Sequence, residues 1–321
     1  FALAHDPVAG VEIARELTRF FWLNAMQATT KDLTESTSYL AEGYDWSTRL
    51  LDAAGGDLDD RLKARLLTGI GGMLCVRAGR YDEAVQRLEQ AQTLCEAADD
   101  RRGVGWTEFY NGIAGWALRP LDDTIGCFAR AESLFADTGP RLGELLSVLL
   151  NAYAHGHAGR VRDGHELVTR YVHDAEQLGA PFLITHAFDL KAMYDAWEDR
   201  VTAVTIEDLS RAVNEFRSTH NHACLSHTLG AAATALARLD DLPAAARMLG
   251  FSQNLRDSLN MVIAPYEDRA DEVLAVIEDA GHDLADPSMQ DKWHSELDYG
   301  RTMNPHEGIE WAIRCLEDAA P

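Results

Sequence analysis

Positive charge is scarce in this chain of 321 residues, with 29 Lys and Arg against 52 Asp and Glu and a formal charge of −23. A surface of that sign repels a phosphate backbone or an anionic membrane, so direct nucleic-acid binding by this segment is not expected. Disulfide chemistry is poorly provided for as well. The five cysteines, Cys75, Cys95, Cys127, Cys224 and Cys315, are odd in number, scattered and set within helical patterns, as in reduced intracellular thiols. No apolar run approaches the roughly 20 residues that span a bilayer, and the N-terminus lacks the basic-then-apolar pattern of a secretory signal. A cytoplasmic location without a membrane partner is therefore expected. Residue 1 is Phe, which suggests a piece of a longer parent chain. No Gly-Lys-Ser/Thr turn of the P-loop type occurs, and "TGIGGML", residues 68–74, lies inside a helical pattern where glycines serve helix crossing. Any ATPase would lie outside this segment, and no cofactor is expected.

Sustained Val/Ile/Thr alternation is also missing, which removes the sheet classes. What remains is helix. Hydrophobic residues make up 46% of the chain and aromatics 8%, ample for the core of one large domain or two ordinary ones. Amphipathic segments punctuated by Gly, Asp and Pro predict helices at 7–26, 33–54, 58–78, 81–98, 102–118, 121–137, 141–157, 161–178, 182–199, 205–219, 222–239, 242–259, 264–280 and 287–319, the last broken near Pro305.

These helices repeat. Steps of 40 from Gly72 lead to Gly112, Ala152 and Ala192, and 41 more to Ala233. The same step takes Ala84 to Thr124 and Gly164 and, two repeats on, to Ala245; Leu88 becomes Phe128, Val168 and Leu249; the turn residue Gly79 becomes Arg119, Gly159 and Asp240. Size class is kept while identity is not. A small residue where two helices cross lets their backbones approach toward the ~8 Å limit, and large neighbours fill the flanks. A period near 40 in this register predicts an α-solenoid, whose hairpins bury their apolar faces against each other.

The stretch "GRYDEAVQRLEQA" resembles the second helix of a tetratricopeptide repeat, with Gly79, Tyr81, Ala84, Leu88 and Ala91 on the motif's turn and packing positions. Later units depart from it: Tyr171 replaces a small residue, and "EDRVTAVTIED" reads as an extended loop. The tail, "LPAAARMLGFSQNLRDSLN", "APYEDRADEVLAVIEDAG" and "LDYGRTMNPHEGIEWAI", is similar to the closing segment of STAND-type predicted-ATPase regulators of actinobacteria, and "ALAHDP" with "ARELTRFFWLNAM" resembles the junction where their arrays begin. The resemblance implies an all-α, right-handed α-solenoid of helical hairpins, with residues 1–57 joining a preceding domain, 58–260 forming the array and 261–321 capping it. It also implies a signalling role, with a LuxR-type DNA-binding or cyclase domain elsewhere in the parent.

"STHNHACLSH" gathers His220, His222, Cys224 and His227, but His227 falls on another side of the helix from His222, and a zinc site needs about four converging ligands. No metal is expected there. The acidic pairs Asp99–Asp100, Asp122–Asp123 and Asp240–Asp241 precede helices, where carboxylates are favoured by the helix dipole. No nucleophile, base and orienting group assemble from spacing, so catalysis is not expected. On helix 102–118, Trp106, Phe109, Ile113 and Trp116 form a second apolar face, which fits either the core or a ligand groove. The 40-residue step extends that face to Leu149 and Tyr153, then His186, Asp189 and Met193, then His227. The expected function is a sensor or interaction module that binds a peptide, a protein or a small effector in this groove; the alternative is an assembly scaffold, with homo-oligomers possible under either.

Overall fold

The computed structural model describes residues 6–26, 33–76, 80–258, 270–279 and 286–319, without the side chains of Arg15 and of residues 18–40. The described residues are all helical and loop, with fifteen α-helices, and the chain divides after Ala158 into two compact units. The first holds α1 (Pro7–Met26), α2 (Leu33–Ala54), α3 (Asp60–Leu74), α4 (Tyr81–Ala97), α5 (Arg101–Leu118), α6 (Leu121–Thr138) and α7 (Arg141–His157). The second holds α8 (Val161–Leu178), α9 (Pro181–Trp197), α10 (Ala203–Ser218), α11 (His222–Arg238), α12 (Leu242–Asp257), α13 (Ala270–Asp279), α14 (Pro287–Thr302) and α15 (Pro305–Ala319). In the first unit, and from α8 to α12 in the second, helices adjacent in sequence pack side by side; beyond α12 the packing skips, α13 lying on α11, α14 on α12 and α15 on α10. Gly79 and the first residues of the helix expected at 264–280 lie outside the described residues.

Turn chemistry sets the spacing. Second helices of the hairpins are followed by left-handed residues at Asp99, Gly139, Gly179 and His220, in steps of 40, 40 and 41; first helices by Gly159, Asp199 and Asp240, in steps of 40 and 41. Asp and His are among the few non-glycine types that adopt positive φ readily. Arg119 breaks the series with φ −133°, because the ring of Pro120 pushes the preceding residue into extended backbone. After Asp99, His220 and Asp240 the next residue caps the following helix. Asp100 accepts from Gly103 N at 3.0 Å, Asn221 from Cys224 N at 3.1 Å and Asp241 from Ala244 N at 3.1 Å, each cap contributing ~0.5–2 kcal/mol. Two of the acidic pairs, and His220–Asn221, are thus turn-and-cap dipeptides; Asp122 and Asp123 occupy the first turn of α6. The helix expected from 205 begins at Ala203, because Thr202 and Thr205 form a reciprocal capping box that starts α10, and the loop before it is short.

The small-residue register lies inside. Gly72, Gly112, Ala152, Ala192 and Ala233 are buried, as are Ala84, Thr124, Gly164 and Ala245 and the large Leu88, Phe128, Val168 and Leu249. A Cβ added at Gly72 would lie 2.8 Å from the Tyr110 ring and one at Gly112 2.5 Å from Phe128, while Leu88 is faced by Gly71, at 2.6 Å. These glycines therefore seat a large side chain of a neighbouring helix. Backbone-to-backbone approach occurs elsewhere, where α12 crosses α14: a Cβ on Gly250 would meet the carbonyl of Leu297, and one on Gly300 the carbonyl of Arg247.

The two helices of a hairpin differ in kind. In α8 only Gly164, Val168, Tyr171 and Ala175 are buried, a single stripe spaced by four, three and four residues. In α11 every residue from His222 to Ala237 is buried. First helices have neighbours on more sides: α11 packs on α9, α10, α12, α13 and α15.

Candidate functional site

In the first unit, α5 and α6 build an aromatic cluster. The Trp106 ring lies 4.8 Å from Phe135, 5.7 Å from Phe109 and 6.0 Å from Tyr110; Trp116 lies 6.3 Å from Phe128 and 5.4 Å from His157. Residues Thr107 to Gly115 are buried without a break, so both apolar faces are interior along the middle of α5. Of the residues expected to line a groove here, Phe109, Ile113, Leu149 and Tyr153 are at most 2% exposed, while Trp106 and Trp116 are half-buried. A helix apolar all round is covered all round. That is where the groove expectation and the packing part, because α4, α6 and α3 take up the surfaces of α5.

In the second unit, the remaining predicted residues do meet, again inside. His186, Asp189 and Met193 follow one another along one face of α9, and Cys224 and His227 stand one turn apart on α11. His227 Nδ1 lies 3.3 Å from Asp189 Oδ2, and His186 Nε2 lies 3.5 Å from Cys224 Sγ. All are buried. Phe182 and Phe216 pack their rings 4.6 and 5.0 Å from His186, and Tyr171 of α8 donates its hydroxyl to Leu183 O at 3.0 Å. Burial pushes His186 down to about 4, against a smaller opposing pull from Asp189, so the imidazole is neutral at pH 7. Burial, with Cys224 and Asp189 near by, raises the Tyr171 phenol.

An imidazole beside a thiol is the pairing that activates nucleophiles, but here it is walled in by aromatic rings and pins α9 to α11. Asp189 and His227 face each other across this buried seam, and replacing either would leave the other's polar atom buried without this contact, at a cost of ~1–3 kcal/mol. The sequence cluster around His220 dissolves: His220 is the exposed turn residue, Asn221 the cap, and Cys224 with His227 faces α9. Among the described residues no three His, Cys, Asp or Glu side chains converge as a metal site would require.

Open concavities lie instead at the last helices of the second unit, which sequence reasoning passed over. There α13 packs on α11, α14 on α12, and α15 on α10 and α12. Between α12, α13 and α14 is a cleft of about 290 Å³ walled by Leu249, Leu274, Trp293 and Leu297 and edged by Gln253, Gln290, His294 and Arg301. A second cleft, of about 410 Å³, is more polar, with Asp241, Arg247, Arg314 and Asp318 in its lining. Its Arg247 lies 4.7 Å from the Tyr299 ring and 5.2 Å from that of Trp311, and donates to Glu296 at 2.8 and 2.5 Å. A third, of about 380 Å³, includes Asp240 and Lys292. Such sites arise from the meeting of three helices that share no repeat period. The one local sign was the spacing of four in Trp293, Leu297 and Arg301.

Compared with known proteins, the chain matches no family model and no curated sequence.

Proposed function

We propose that this chain is a binding module of the helical-repeat type, the tetratricopeptide-like sensor region of a STAND-type bacterial regulator whose ATPase and LuxR-type or cyclase output domains lie elsewhere in a parent protein. The observation that carries the reading is the 40–41-residue recurrence of left-handed turns, which follows hairpin after hairpin from Asp99 to Asp240. Arrays of this kind are stabilised by nearest-neighbour packing and present their loops and outer helix faces in series, which suits them to binding. Added support comes from the motif residues Ala84, Leu88 and Ala91, all buried on one stripe of α4.

Signalling in this reading is a population shift: a ligand or partner that prefers one packing of neighbouring hairpins draws the chain toward it, by no more than its difference in affinity for the two. The test pairs two measurements on the intact chain. A thermal-shift screen with small molecules and peptides should find compounds that raise the melting temperature in proportion to occupancy, while sedimentation shows no ligand-free assembly. Concentration-dependent self-association with no stabilising compound would replace the sensor by a scaffold. An upstream reading frame without an ATPase signature would remove the regulator assignment.

A further inference from the structure

We infer that the cleft between α12, α13 and α14 binds a small amphipathic carboxylate, an acid with a short alkyl or single-ring body. At about 290 Å³ the cleft sits at the lower edge of the ~300–1,000 Å³ typical of ligand pockets, which suits one ring or a short chain. Leu249, Leu274, Trp293 and Leu297 supply apolar walls for that body.

The polar edge selects the head group. Among the described residues it consists of one guanidinium, one imidazole and two amides, with no carboxylate in the lining. That is unusual for a chain with 52 acidic residues and a charge of −23. The neighbouring clefts do carry carboxylates, Asp240 in one and Asp241 with Asp318 in the other. An anion entering the α12–α13–α14 cleft meets the Arg301 guanidinium with no acidic residue among the described lining, the Asp298 carboxylate pairing with Arg301 from outside it.

Arg301 is held ready to receive it. Its Nε donates to Gln253 Oε1 at 2.9 Å and its Nη1 to Asp298 Oδ1 at 3.2 Å, which orients the planar fork while committing two of its five N–H donors. A fixed guanidinium favours the two oxygens of a carboxylate over an alcohol. His294 spends its Nδ1–H on Gln290 O at 2.8 Å, so the donor that reads the carboxylate is Arg301. The binding claim stands on this geometry alone, and only the use of occupancy as a signal rests on the sensor reading above.

Calorimetric titration of the intact chain with hexanoate and 3-phenylpropionate, against hexanol, 3-phenylpropanol and hexylamine, tests the inference. The acids should bind at least tenfold more tightly than the alcohols and amine. Arg301→Gln should bring the acids to the level of the alcohols without altering alcohol binding. Leu274→Asp, at a side chain that is 38% exposed and so tolerant of change, should abolish acid binding while the circular-dichroism melt stays in place; it serves also if Arg301→Gln does not fold. Acids no tighter than alcohols, or acid binding that survives either substitution, would overturn the assignment. Acid binding without any change in the parent's ATPase output would leave this site standing and remove the sensor reading, whereas a response to other ligands without acid binding would do the reverse.

Discussion

Gly300→Ala places one methyl group where α14 crosses α12, and its cost can be worked from the backbone around it. The new Cβ would overlap the carbonyl oxygen of Arg247 and lie 2.8 Å from Phe251 N and 3.1 Å from Arg247 C. Ordinary carbon contacts settle at ~3.5–4.0 Å, so the two helices must part by roughly 1 Å, and a gap of that size forfeits a quarter to a half of each dispersion contact along the seam. No side chain can swing away to relieve it, since every obstructing atom is main chain. Overpacking of this kind costs ~1–3 kcal/mol and sometimes more, and backbone on the opposing side argues for the upper end. Alanine also gains ~0.8–1.0 kcal/mol of helix propensity over glycine, which leaves a net loss of about 2 kcal/mol. Urea melts should show it, with Gly126→Ala as the control. There the nearest atom is the end of the Arg130 side chain, 3.2 Å away, and the propensity gain should remain as up to ~1 kcal/mol of added stability. Combining Gly250→Ala with Gly300→Ala should cost less than the sum of the two, because either one alone already separates the helices. A Gly300→Ala protein as stable as the parent would refute the close-crossing account.

Burial holds His186 and His222 at about 4, against an ordinary 6.5. Below pH 6.5 the unfolded chain therefore takes up protons that the folded chain refuses, and stability falls as pH falls toward 4. His186 alone should remove about 2 kcal/mol between pH 6.5 and 5; melts across that range should flatten in His186→Leu, and an unchanged slope would contradict the burial argument. Trp106→Ala removes a ring packed 4.8 Å from Phe135 and should cost on the order of 3 kcal/mol of folding stability; a circular-dichroism melt identical to the parent's would return Trp106 to a ligand-facing role. Purified protein should carry no stoichiometric zinc, and Cys224→Ser should leave metal content unchanged. Zinc that disappears with that substitution would reinstate the histidine cluster as a metal site.

Helix positions were legible in the sequence because each is bracketed by residues with a local physical preference, such as Asp99 with Asp100 and Asp240 with Asp241. The size register was legible too, since a small residue is kept at Gly72, Gly112, Ala152, Ala192 and Ala233 and a large one at Leu88, Phe128, Val168 and Leu249 while the identities drift. The second apolar face of α5 was not. A face buried by a neighbouring hairpin and a face left open to a ligand have the same composition, and only the position of α3, α4 and α6 tells them apart. The step of 41 from His186 to His227 did bring those residues to the same place in the second unit. That Cys224 joins His186 was not legible, because nothing in the local stretch around His220 points to a residue 38 positions earlier. The Gly250–Gly300 crossing and the nearby cleft follow no period, and no local signal joins residues about fifty apart.

The single buried stripe of α8 has an evolutionary consequence. Gly164, Val168, Tyr171 and Ala175 are the only buried positions among its 18 residues, so the other faces are free to change with little effect on folding, surface substitutions usually moving stability by no more than ~0.5 kcal/mol. Even within the stripe, bulk is held more firmly than identity, as the succession of Leu88, Phe128, Val168 and Leu249 at one repeat position illustrates. A lineage of such arrays can replace most of the letters in its second helices while each hairpin still locks onto the next. Kinship among these proteins therefore persists longer in the spacing of turns and the alternation of small with large than in any alignment of residues.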